Sequence, residues 1–269
     1  MTPTPLELTQ SLADLFAELP QVQAVALGGS RGSRTGAADS ASDIDLYVYT
    51  SAEIPLAARQ AIVARSGGAT QADLNLNYWG PGDEWYNATT GIEIDIVYFD
   101  AAWMEAQIVR VIDQHQASMG YTTCFWHTIR QSIVFYDPHG WLAALQSKCR
   151  AAYPEALRRN IITLNRPVLR EIIPAYAHQI EKAVKRGDMV SINHRLAALL
   201  ASYFDILFAL NRQLHPGEKR LLELATTHCP TLPSDMRSDV TAALQAAARD
   251  IETLPGCVQR LLDHLDEIL

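Results

Sequence analysis

The sequence predicts an α/β (α+β) domain with a mixed sheet over residues 1–140, followed by an all-α helical bundle over residues 141–269. Three observations carry this prediction. Stretches in which apolar and polar residues alternate with period two all lie before residue 140. From Trp141 to the end, apolar residues recur at spacings of three and four. The chain has 269 residues, 48% of them apolar, which is enough for two cores.

The first element is a helix over Pro5–Leu19, with Leu8, Leu12, Leu15, Phe16 and Leu19 on one face. Thr4 is its N-cap, Pro5 opens the first turn, and Glu7 completes a capping box. Pro20 ends it, and Val22–Leu27 forms a β-prone run closed by Gly28 and Gly29. Asp43–Tyr49 alternates strictly, with Ile44, Leu46 and Val48 on one face and Asp43, Asp45 and Tyr47 on the other. Pro55–Arg65 reads as a short helix, Ala72–Tyr78 alternates again, and Gly80–Asp83 marks a turn. In Ile92–Phe99 the isoleucines face one way while Glu93, Asp95 and Val97 face the other. Ser132–Tyr136 suits an edge strand. The helical half then holds a helix from Pro154 through Leu164, a second over Val168–Val184 kinked by Pro174, and a third striped by Ile192, Leu196, Leu199, Tyr203, Leu207 and Leu210. Two more follow, at Ser234–Thr253 and Cys257–Leu269.

Charge and composition exclude several classes. Lys and Arg total 22 against 30 for Asp and Glu, a formal charge of −8, which argues against a protein built to grip nucleic acid. Four widely spaced cysteines form no Cys-x-x-Cys pair, so zinc and thioredoxin chemistry have no support. The first basic residue is Arg31, and the longest apolar stretch, Leu196–Leu210, falls short of the ~20 residues of a membrane span. The expectation is a cytoplasmic protein without a membrane segment.

The chemistry concentrates in Gly28-Gly29-Ser30-Arg31-Gly32-Ser33-Arg34-Thr35-Gly36 and the following Ser42-Asp43-Ile44-Asp45. A Gly-Ser bend after a strand lets backbone N–H groups approach phosphate oxygens without Cβ obstruction. It is neither a Walker A motif nor a Gly-x-Gly-x-x-Gly fingerprint. Two aspartates one residue apart on a strand project to the same side, where their repulsion is costly unless a hard divalent cation is shared. Asp95, on a strand of its own, is the candidate third carboxylate, and Glu93 is its rival as a base. Tyr78, Trp79, Trp85 and Tyr86 cluster just before it, as packing or as a stacking surface for a ring.

Gly29-Ser30, Asp43-Ile44-Asp45 and Asp95 together resemble the nucleotidyltransferase superfamily typified by DNA polymerase β. A small catalytic domain followed by a helical one resembles its aminoglycoside and lincosamide nucleotidyltransferases and bacterial relatives. Asn211 and Lys219, in the stretch Ala209–Arg220, add to the likeness. The resemblance implies a catalytic domain at 1–140, a helical acceptor-binding domain at 141–269, and a cleft between them. It places Gly29 and Ser30 on the β and γ phosphates, Lys219 near the triphosphate, and Mg²⁺ on Asp43, Asp45 and Asp95, with Asp95 also drawing the proton from an acceptor hydroxyl. The implied reaction is transfer of a nucleoside monophosphate, AMP from ATP, to a small molecule. The acidic balance permits a cationic acceptor such as an aminosugar, and antibiotic modification falls within that class. Transfer to a protein or nucleic acid, and a nucleotide-binding module without turnover, are the alternatives.

Overall fold

The computed structural model of the chain describes residues 2–29, 43–78 and 80–269. Expectations that fall on Ser30, Arg31, Arg34, Ser42 and Trp79 lie outside the described residues. The chain divides into two compact units, one of Met1–Val109 with Thr128–Ala151, the other of Arg110–His127 with Ala152–Leu269. They interleave along the sequence, so no single cut separates them.

In chain order the described elements of the first unit begin with α1 (Pro5–Ala17), β1 (Val22–Leu27), β2 (Ile44–Thr50), α2 (Leu56–Arg65), β3 (Ala69–Leu76), β4 (Gly82–Asn87) and β5 (Glu93–Asp100). Next come α3 (Ala101–Ile112) and α4 (Cys124–Gln131), which run across the unit boundaries, then β6 (Ile133–Tyr136) and α5 (Trp141–Lys148). The strands form one sheet in the order β3-β4-β5-β2-β1-β6. It is mixed: β2 and β5 are parallel, and every other neighbouring pair is antiparallel.

The capping box on α1 is present, with the Glu7 carboxylate accepting from the Thr4 N–H at 2.8 Å and the Thr4 hydroxyl accepting from the Glu7 N–H at 3.3 Å. Leu8, Leu12 and Phe16 of α1 and Ile62 of α2 pack on Val25, Leu46, Val48, Ile94 and Ile96, all on one face of the sheet. Removing this apolar surface from water is what holds the two helices there. The opposite face belongs to the acidic and aromatic residues of β2 and β5, and it carries the site.

β4 is missing from the sequence reading because its alternation runs through polar residues. Asp83, Trp85 and Asn87 are buried while Glu84 and Tyr86 are exposed. Asp83 accepts from Arg59 Nη1 at 2.8 Å, from Tyr98 Oη at 2.7 Å and from the Asn75 N–H at 2.7 Å. A buried carboxylate so satisfied behaves as a core residue, which hydropathy does not register. Trp85 is 2% exposed in the core beneath the sheet, so of the expected aromatic cluster this ring has a packing role. α3 also escapes the reading, because it follows β5 with no intervening turn. Its signal is Asp100, whose carboxylate accepts from the Trp103 N–H at 2.7 Å as an N-cap does.

The second unit contributes α6 (Glu155–Arg170), α7 (Tyr176–Lys185), α8 (Met189–Leu210), α9 (Leu221–His228), α10 (Met236–Arg249) and α11 (Leu254–Asp266). Among its described residues there is no strand. Pro174 separates α6 from α7 rather than kinking one long helix, and α6 continues through Pro167 to Arg170. Arg170 there pairs with Asp263 and Asp266 of α11. The stripe read on α8 widens in its second half, where Tyr203, Phe204, Ile206, Leu207 and Phe208 are all buried beneath the surrounding helices. α8 is the central helix of this unit. Among the described residues no helix is long and apolar enough to cross a membrane.

Candidate active site

Asp45 and Asp95 stand opposite each other across the parallel β2–β5 pair. Their Cα atoms are therefore about one strand spacing apart, ~5 Å. Residues in register on neighbouring strands point to the same side, so the two carboxylates share a face. Asp43, one residue before β2 begins, falls on that face by the same alternation. Asp43, Asp45 and Asp95 are each partly buried.

The acidic row extends further than the sequence reading carried it. Glu84 of β4 pairs with Asp95, and Asp73 of β3 pairs with Glu84. Four adjacent strands thus present Asp73, Glu84, Asp95 and Asp45 in one line across the sheet. A hydrogen bond to the Glu93 carboxyl, burial, and the charges of Asp95, Glu93 and Asp73 all hold the Glu84 carboxyl above its ordinary value. Glu93 therefore faces Glu84, and also Tyr86, with which it pairs across the strands. Glu84 carried no signal of its own, because its strand was not recognised.

The bend after β1 closes on this row. The Gly28 N–H donates to the Asp45 carbonyl at 2.8 Å, continuing the ladder past the strand end. A Cβ on Gly29 would lie 1.6 Å from Asp45 Oδ2, and Gly29 has a φ of +56°. Only glycine fits there, on both counts. Gly28 is packed as tightly, since a Cβ on it would lie 2.1 Å from Tyr47 Cε2. Tyr47 stands next to Asp45 on the shared face, and the Gly29 N–H faces its hydroxyl. Burial first, then the negative charges of Asp45, Asp95 and Asp43, push this phenol up to about 12. All three predicted carboxylates therefore act on one hydroxyl. Tyr47 was visible in the sequence as the third member of the polar face, but nothing there gave it a role.

Below Tyr47 the face turns aromatic. Phe99 meets Tyr47 edge-on at 5.7 Å, stacks on Tyr49 at 5.8 Å and lies parallel to Trp103 at 6.2 Å. Trp141 of α5 closes over Tyr49 at 5.3 Å. Ala24 and Ala26 pair with Tyr49 and Tyr47 on the neighbouring strand and leave room for these rings.

Carboxylate oxygens are hard donors, the type that magnesium takes. Among the described residues, however, no group of three or more His, Cys, Asp and Glu side chains is arranged to hold a metal ion. The structure brings Asp45 and Asp95 together as a pair, with Asp43 beside them. The donor chemistry fits a hard divalent cation. Lys219 is exposed in the second unit, in the segment between α8 and α9. Ser30 lies outside the described residues.

Residues 124–221 match the family described as a domain of unknown function (DUF4037). The matched segment starts at the first residue of α4 and includes Lys219, while Asp43, Asp45 and Asp95 lie outside it. No curated protein matches the chain. A solved structure, a nucleotidyltransferase-like protein from Exiguobacterium sibiricum 255-15, is similar over 97% of this chain and 72% of that one, with 14% identity and a TM-score of 0.44.

Proposed function

We propose that the chain is a Mg²⁺-dependent nucleotidyltransferase that moves a nucleoside monophosphate, AMP from ATP, to a hydroxyl of a small molecule. One observation carries the reading: Asp45 and Asp95 face each other across β2 and β5, directly beside a glycine bend with no room for a side chain. Paired acids without a cation are costly to hold so close, and a triphosphate brings magnesium with it.

Asp43, Asp45 and Asp95 would hold the ion, which supplies charge neutralisation for the triphosphate and a more acidic attacking hydroxyl. Asp95 accepts the proton of the acceptor hydroxyl. The acceptor oxygen bonds to the α-phosphorus, the bond from that phosphorus to the bridging oxygen breaks, and the electron pair leaves with pyrophosphate. Gly29 and Ser30 would take the β and γ phosphates, and Lys219 would contribute positive charge to them. The formal charge of −8 favours a small, cationic acceptor such as an aminosugar over a nucleic acid.

The test is incubation with labelled ATP, Mg²⁺ and a panel of aminoglycosides, lincosamides and other polyols. The expected result is a labelled adduct with one pyrophosphate released per transfer, abolished by chelation of the metal. Asp45→Asn and Asp95→Asn should each lower turnover by at least about 10²–10³-fold, with a melting temperature in the absence of metal no lower than that of the wild type. Label on protein or nucleic acid would shift the acceptor class. Binding of ATP with no transfer to any acceptor would leave a nucleotide-binding module, and full activity in Asp45→Asn would remove the metal assignment.

A further inference from the structure

Tyr47 lies against both the glycine bend and the carboxylates of this site. Its cross-strand partner on β1 is Ala26, and the next residue on that face is Gly28, so the neighbouring strand has nothing taller than a methyl where the ring lies. A Cβ on Gly28 would be 2.6 Å from the Tyr47 hydroxyl oxygen, which means that the ring lies against the backbone of the bend. The Gly29 N–H faces that oxygen. On its other side the ring is held edge-on by Phe99 at 5.7 Å, and Phe99 is fixed in turn by Tyr49 and Trp103. The hydroxyl is thus anchored from below by an aromatic layer, meets the bend above it, and lies within electrostatic reach of Asp45, Asp95 and Asp43.

We infer that Tyr47 is a positioning residue for the nucleotide: its hydroxyl accepts from the Gly29 N–H and so fixes the height of the Gly28–Gly29 bend above the carboxylate pair. The inference rests on the nucleotidyltransferase reading and adds to it the group that sets the distance between phosphate bend and carboxylates. Gly29 has no side chain with which to hold itself in place, and glycine moves between backbone conformations more freely than any other residue, so losing the hydroxyl contact loosens the bend. A short positional error at a phosphoryl-transfer site is amplified in both affinity and rate.

Tyr47→Phe keeps the ring and removes only the hydroxyl. Tyr49→Phe is the control, because the Tyr49 hydroxyl lies in the same aromatic layer, is buried and has no hydrogen-bond partner among the described residues. The experiment measures amide hydrogen exchange at Gly28 and Gly29 and calorimetric binding of MgATP in the full-length wild type and both variants. The expected result for Tyr47→Phe is exchange at Gly29 about tenfold faster and MgATP binding about three- to tenfold weaker, the loss set by one hydrogen bond. Tyr49→Phe should change neither. Unchanged exchange in Tyr47→Phe overturns the inference, and so does faster exchange with MgATP affinity intact, since the hydroxyl would then serve packing alone. Wild-type protein that binds no nucleoside triphosphate would instead sink the nucleotidyltransferase reading, and this inference with it, an outcome distinct from both.

Discussion

Single residues set the site through exclusion as much as through chemistry. Gly29 is required because a methyl in its place would stand 1.6 Å from Asp45 Oδ2 at a φ of +56°. Gly29→Ala should therefore displace the Asp45 carboxylate and strain the backbone, costing about 1–3 kcal/mol of stability. The expected functional loss is larger, at least about tenfold in turnover, because the displaced carboxylate belongs to the residue paired with Asp95 across the strands. Thermal melts and the labelled-ATP assay on the same preparation check both, and wild-type turnover in Gly29→Ala would show that the bend adapts. Glu84 and Glu93 illustrate a different point. The Glu93 carboxyl, burial and the charge of Asp95 hold Glu84 above its ordinary value, yet from sequence alone Glu84 would be read as a surface charge.

At the scale of elements, buried polar contacts determine how strands, helices and loops are joined. Arg59 of α2 reaches Asp83 of β4 at 2.8 Å, the Ile54 carbonyl at 3.1 Å and Asn75 of β3 at 3.0 Å, while its guanidinium lies 5.4 Å from the centre of the Tyr98 ring. This ties α2 to three strands. In the second unit, Asp205 of α8 accepts the Thr122 hydroxyl at 2.6 Å and the Thr122 N–H at 3.0 Å, and Asn165 of α6 accepts from the Gly120 N–H at 3.0 Å. The segment before α4 is thereby fastened to α6 and α8. Burial raises the Asp205 carboxyl to about 7, against the two Thr122 hydrogen bonds, which favour its charged form. An acid held above its unfolded value stabilises the fold fully below about pH 4, and that contribution is lost as pH rises through 7. Asp205→Asn stays neutral throughout. Wild type should therefore lose stability relative to this variant between pH 4 and 7, by about 1.4 kcal/mol for each pH unit of that window. Urea unfolding of both proteins at pH 4.5 and 7.5 measures it, and a constant difference would show that Asp205 does not titrate there.

For the whole molecule, interleaving of the two units matters more than their order along the chain. α5 follows the last strand in sequence, yet it belongs with the sheet: Trp141 packs on Tyr49, and Leu142 and Leu145 are buried. Each large apolar side chain fully buried contributes about 1.5–3 kcal/mol, so the two leucines alone supply a sizeable part of the ~5–15 kcal/mol net stability of a domain. A fragment of residues 1–140 should lack a cooperative thermal transition, whereas residues 1–151 should regain one. The segment 110–127 then becomes a long loop, which costs little. Circular dichroism melts of the two fragments compare them directly, and equal cooperativity would mean that α5 is dispensable to the sheet.

The sequence by itself determined the elements whose local pattern agrees with their final environment. The capping box at Thr4 and Glu7, the alternation through Ile44, Leu46 and Val48, and the α8 stripe are all of this kind, because apolar periodicity and caps act over a few neighbouring residues. The alternation also determined that Asp43 and Asp45 share a face, and it put Asp95 on another acidic strand. Only the tertiary structure decided that β5 lies beside β2 in parallel with Asp95 level with Asp45, since strand order and register depend on pairings between distant segments. It also decided that β4 is a strand at all, through an ion pair that makes Asp83 a core residue, and that the Tyr47 hydroxyl meets Gly29. Those contacts join residues far apart in the chain, and such proximity leaves no periodic trace in the sequence.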